Sequence, residues 1–141
     1  MKEKVCKCCG VSKPITEFGK NARMKDGLHY YCKECKNQKH GDYRTKKRQY
    51  IQNKKRPCEK CGESRLYLIQ FHHRNPAEKS FEISQCLDKG IKKIDEEINK
   101  CVCLCPNCHA EFHYFYGVNP ENPEAALKDY LKNDIPLKIT A

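Results

Sequence analysis

Twelve cysteines in 141 residues constrain this chain more than any other feature, because eight of them fall into four C-x2-C pairs. The pairs are Cys6/Cys9, Cys32/Cys35, Cys58/Cys61 and Cys105/Cys108. Each short turn offers two thiolates, and two such turns can close a tetrahedron around one zinc ion. Disulfides are the competing use of so many cysteines, but they persist only in oxidising compartments. Met1 to Gly10 is polar and basic, with neither the apolar stretch nor the cleavage site of a secretory leader. A cytoplasmic, reducing setting is expected, and there paired cysteines bind metal. Redox dithiols fit less well, since four pairs occur without a thioredoxin-like βαβ pattern.

Zinc would also supply what the composition lacks. Apolar residues are 38% of the chain, charged residues 33%, and Trp is absent. A chain this short and polar buries too little apolar surface to be stable unaided. Two frameworks are expected, Cys6/Cys9/Cys32/Cys35 and Cys58/Cys61/Cys105/Cys108, each around a structural zinc. Cys8 lies inside the first turn and competes with Cys9. The spacing favours Cys9, and Gly10 after it has the backbone freedom that a tight turn needs. Cys86, Cys101 and Cys103 sit among apolar neighbours and read as small core hydrophobes.

The formal charge of +10 favours a polyanionic partner, because Lys and Arg that neutralise phosphates release condensed counterions. DNA, RNA and an anionic membrane surface all fit the charge alone, while no segment is long and apolar enough to span a bilayer. Residues 36–56 carry nine Lys or Arg against the single acid Asp42, with no Pro and one Gly. A basic helix is expected there, with Tyr43, Tyr50 and Ile51 as its apolar anchors. Arg44, Lys46, Lys47, Arg48, Lys54, Lys55 and Arg56 are its candidate phosphate contacts. The chain thus divides into a zinc module (1–35), a basic helical linker (36–56) and a more globular region (57–141).

In that last region Tyr67–His73 has the length and the aromatic and β-branched content of a strand. Ile91, Ile94 and Ile98 form one stripe of a helix over 91–99, and Cys101–Leu104 reads as a short apolar strand. A helix should start at Pro106 and stop near Gly117, and another should run from Asn122 and Pro123 to Pro136. The class is α+β. On the helix from Pro106, His109 and His113 are i and i+4, so their imidazoles lie one turn apart on one face and can share a metal. This H-A-E-F-H run is not the zincin motif, whose general-base Glu directly follows the first His; here that place is Ala110.

CEKCG, then LIQFHHRNP, then LCPNCHAEFH, across residues 57–117, resembles the HNH endonucleases. CKCCGVSKPITEF followed by DGLHYYCKEC resembles a zinc module that precedes phage-type HNH nucleases. The resemblance implies a ββα-metal core, two antiparallel strands and a helix around one catalytic ion, and hydrolysis of DNA in a bacterial host or phage-infected cell. It makes His73 the general base and His72, His109 and His113 ligands of a catalytic divalent ion, with Mg, Mn, Ni and Zn all open. Adjacent strand residues face opposite sides, so His72 and His73 can share a site only where the strand ends, and their roles are exchangeable. The family's middle Asn falls on Lys100, with Asn99 beside it. A zinc-dependent DNA-binding module without catalysis is the alternative; it explains the charge and cysteines but not four histidines at this spacing.

Overall fold

The computed structural model describes residues 1–133, which fall into two compact units, one of residues 1–47 and one beginning at Arg48. The boundary falls within one helix, α1 (Lys33–Asn53), which contributes to both. The basic segment is therefore helical from Lys33, while Lys54, Lys55 and Arg56 follow the helix in a turn.

In the first unit, β1 (Glu3–Val5) and β2 (Ser12–Pro14) pair antiparallel on either side of the Cys6–Gly10 turn. Gly10 closes that turn at φ 72°, a left-handed conformation that L side chains adopt only with strain, and donates its N–H to the Cys6 carbonyl at 2.9 Å. A second antiparallel pair, β3 (Phe18–Lys20) with β4 (Leu28–Cys32), runs directly into α1. Cys32 thus ends a strand and Cys35 lies in the first turn of a helix. The core of this unit is Cys6, Cys32 and Cys35 with Phe18, too few apolar atoms to hold a fold by burial alone.

The second unit is built on β5 (Gln70–His73) paired antiparallel with β6 (Cys101–Leu104), His72 opposite Val102 and His73 opposite Cys101. The predicted strand over Tyr67–His73 is only half formed. Leu66–Leu68 is a 3-10 turn, since β6 offers four residues and the ladder extends no further than Gln70. Between the strands lies α2 (Ile91–Ile98), which buries Ile94 and Ile98 against Ile51, Ile83, Cys86 and Cys101 while Ile91 stays exposed.

After β6 the chain enters α3 (Pro106–Tyr116) with Pro106 at its first position, and Gly117 stops it at φ 79°. The last described helix, α4 (Pro123–Lys132), is capped by the Asn122 side chain, which accepts from the Ala125 N–H at 3.1 Å. Its Tyr130 is fully buried, and its hydroxyl donates to Glu111 at 2.6 Å and lies 3.0 Å from the Cys108 carbonyl, tying α4 to α3. The predicted end of this helix at Pro136 lies outside the described residues. Cys101 and Cys103 pack in the interior beside Val102 and Leu104, which makes β6 buried on both faces.

Candidate metal centre

Among the described residues, three groups of side chains lie close enough together to hold an ion. They are Cys6/Cys9/Cys32/Cys35, Cys58/Cys61/Cys105/Cys108 and His72/His109/His113, with the ligand atoms of each group within 4.8 Å of one another. The fold thus assembles both cysteine frameworks from the pairs read in the sequence, and Cys9 rather than Cys8 completes the first. Two four-cysteine clusters of this kind could hold two zinc ions.

Backbone amides prepare these thiols. Cys6 Sγ accepts N–H groups from Cys8 (3.4 Å) and Cys32 (3.3 Å), and Cys105 Sγ accepts from Cys108 N at 3.5 Å. Burial by itself would push the Cys6 thiol up, but the N–H groups of Cys32, Cys9 and Cys8 bring it down to about 6. Cys58 behaves alike, burial opposed by backbone N–H groups of Cys61, Cys105 and Lys60, and reaches about 7. Crowding works the other way on Cys35, whose thiol is pushed up by the Cys32 sulfur and by burial, and on Cys108, where burial comes first. Four thiolates this close are stable together only around a cation. Elemental analysis of the purified protein is therefore expected to give two tightly held zinc ions per chain. A folded protein with a count near zero would overturn this.

The histidine group lies on the face of β5 that looks at α3. His72 Nδ1 is 3.0 Å from His109 Nε2, and His113 Nε2 is 3.1 Å from the same atom. The outer nitrogens of the two helical residues are engaged: His109 Nδ1 donates to Gln70 Oε1 at 2.7 Å and His113 Nδ1 to the Gly117 carbonyl at 3.1 Å. Both rings therefore carry their proton on Nδ1 and turn the Nε2 lone pair inward, the usual arrangement of a metal-binding imidazole. Two nitrogens about 2 Å from a tetrahedral ion sit roughly 3.3 Å apart, close to the spacings here. His72 is held near 4 by burial and then by the neighbouring His109 and His113, and burial also lowers His109. Their neutral rings are competent ligands at pH 7, so the residues fit a divalent cation.

His73 is elsewhere. It points to the opposite face of β5, where its Nε2 is 2.8 Å from Oε1 of Glu97. The strand pleat thus separates the two adjacent histidines, and of the two only His72 reaches His109 and His113. Both sides nonetheless open on one cleft of about 460 Å³, whose walls include His73, His109, Gln70 and Lys55.

Neither Lys100 nor Asn99 is the partner of His73. Lys100 instead donates to Glu97 Oε2 at 2.8 Å, and Asn99 offers its carbonyl to Arg74 at 2.9 Å. Glu97 and Gln70 went unread in the sequence, though each left a trace. Glu97 is three residues on from Ile94, at the edge of the apolar stripe of α2, and Gln70 is two residues from His72 on the same strand face.

Among the predicted phosphate contacts, Arg44, Lys46 and Arg48 are exposed on α1. Lys47 is not available to a ligand: it is only 3% exposed, with its Nζ 4.4 Å from the centre of the Tyr43 ring. Lys54 pairs with Asp95 (3.4 Å) and Arg56 with Glu59 (2.9 Å), while Lys55 is half-buried on the cleft wall. No helix among the described residues is long and apolar enough to cross a membrane. Comparison with protein-family models, curated proteins and solved structures finds no match.

Proposed function

We propose that this chain is a metal-dependent endonuclease of the HNH type that hydrolyses DNA phosphodiester bonds. One observation carries the reading: three imidazoles whose ligand nitrogens lie within 4.8 Å of one another, with the fourth imidazole, His73, opening on the same cleft as His109. The antiparallel pair β5/β6 and helix α3, with the histidines set among them, supports a ββα-metal core stapled by the second cysteine cluster.

A divalent ion held by His72, His109 and His113 supplies Lewis-acid stabilisation of the charge that grows on the phosphate and the leaving 3′ oxygen. His73 acts on the water. It accepts a proton as the water oxygen bonds to phosphorus, the P–O3′ bond breaks, and the 3′ oxygen takes up a proton from solvent. A neutral imidazole carries one nitrogen lone pair that can accept a proton. Three neutral ligands suit zinc or nickel better than magnesium, which prefers carboxylates and water. Lys55 on the cleft wall and Arg44, Lys46 and Arg48 on α1 grip the DNA backbone.

The test begins with protein treated with chelator until two zinc ions per chain remain, mixed with supercoiled plasmid. No cutting is expected until one ion among Mg, Mn, Ni and Zn is added back. If none restores cleavage, the histidine cluster is inert and a zinc-dependent DNA-binding module takes the place of the nuclease.

The grip is tested separately. Replacing Arg44, Lys46 and Arg48 together by Gln removes up to three phosphate contacts, so DNA affinity should fall and the slope of log K against log salt should flatten by roughly two to three. Unchanged affinity and slope would make α1 a connector only.

A further inference from the structure

The structure assigns Glu97 as the positioning residue of His73, selecting which ring nitrogen is free to take the water's proton. The assignment rests on the reading of His73 as the general base. Glu97 is 1% exposed, and a carboxylate so deeply buried is tolerated only when its oxygens are fully engaged. They are. Oε2 accepts from Lys100 Nζ at 2.8 Å, and Oε1 accepts from the Ser80 N–H at 2.8 Å and faces His73 Nε2 at 2.8 Å.

The charge state decides the tautomer. Burial pushes the Glu97 carboxyl up, but Lys100, the Ser80 amide and His73 together bring it down to about 2. An ionised carboxylate has only acceptor sites, so the hydrogen between the two groups belongs to His73 Nε2. The neutral ring then keeps its lone pair on Nδ1, the nitrogen that Glu97 does not occupy. Lys100 is in turn fixed by the Glu78 carbonyl and Ser80 Oγ, both at 2.9 Å. Lys100 therefore acts on the base one step removed, by holding Glu97.

A simpler role is possible for the same contacts: a buried Lys100–Glu97 pair that pins α2 to the segment at Ser80. That role predicts lost stability and no selective effect on the reaction.

Two measurements separate the roles, both on the full zinc-loaded chain. Long-range proton–nitrogen correlation spectra read the imidazole tautomer of the parent protein directly, whether or not any variant folds. His73 is expected as the Nε2–H form, and an Nδ1–H form would overturn the assignment. The second measurement is plasmid cleavage by Glu97→Gln in the parent and in the His73→Ala background. In the parent, kcat is expected to fall by roughly ten- to a hundredfold, the usual worth of a group that orients a site residue, with KM and zinc content unchanged. In the His73→Ala background, Glu97→Gln is expected to cost nothing more. An equal loss in both backgrounds makes Glu97 structural only. A slow His73→Ala with an unaffected Glu97→Gln defeats the positioning role and leaves the base in place. A parental rate in His73→Ala defeats the base assignment and this role with it.

Discussion

Replacing His73 by alanine is expected to slow plasmid cleavage by roughly a hundredfold or more, the typical contribution of a positioned general base. The fold should survive, because His73 belongs to neither cysteine cluster and Glu97 Oε1 keeps the Ser80 N–H when the imidazole is removed. Metal binding should survive too, since the converging nitrogens are those of His72, His109 and His113. Zinc content, melting temperature and DNA affinity of His73→Ala are the controls that make the rate loss meaningful. His109→Ala or His113→Ala should differ in kind. Each removes one of the three imidazoles proposed to hold the ion, so cleavage should fall at low metal concentration and recover in part as the added ion is raised. Cleavage by His73→Ala at the parental rate would sink the assignment of the base.

That contrast between adjacent residues depends on geometry only partly legible in the sequence. The cysteine frameworks were readable because ligand spacing in a C-x2-C turn is local, and the His109/His113 pair because i, i+4 on a helix fixes a shared face. Strand alternation correctly put His72 and His73 on opposite faces. Whether a strand end would bring them together again depended on where β5 stopped, which is set by a partner strand some thirty residues away in sequence. They stay apart: His73 lines a cleft together with His109, while His72 meets His109 and His113 on the other face of the strand.

Glu97 was harder to see for a different reason. Acidic residues on short amphipathic helices usually face water, and in DEEI the place of Glu97 at the edge of the apolar stripe is a weak sign until α2 is packed against β5 and β6. Lys47 shows the converse. In a run of basic residues each side chain looks equally solvated, yet the helical period turns one of them inward.

The largest structural effect is expected from Cys58→Ser. Cys58 is a cluster ligand and also a core residue, packed with Ile69, Leu104 and Phe112, so its sulfur joins the 58–61 turn to the start of α3. A structural zinc in a small domain contributes an apparent free energy on the order of 10–16 kcal/mol, comparable to the whole stability of a typical domain. Weakening one of its four bonds should therefore unfold the second unit instead of loosening it. Zinc content should drop from two ions per chain to one, the ion of Cys6/Cys9/Cys32/Cys35, and cleavage should be lost with the fold. Cys103→Ala is the matched control: Cys103 is equally buried and lies in the same core but in neither cluster. Its loss removes one small side chain, so both zinc ions and most of the cleavage should remain. Elemental analysis with thermal melts of the two variants reads the difference. Two ions and a parental melt in Cys58→Ser would show that the second unit is held by its apolar core, and that zinc there is dispensable.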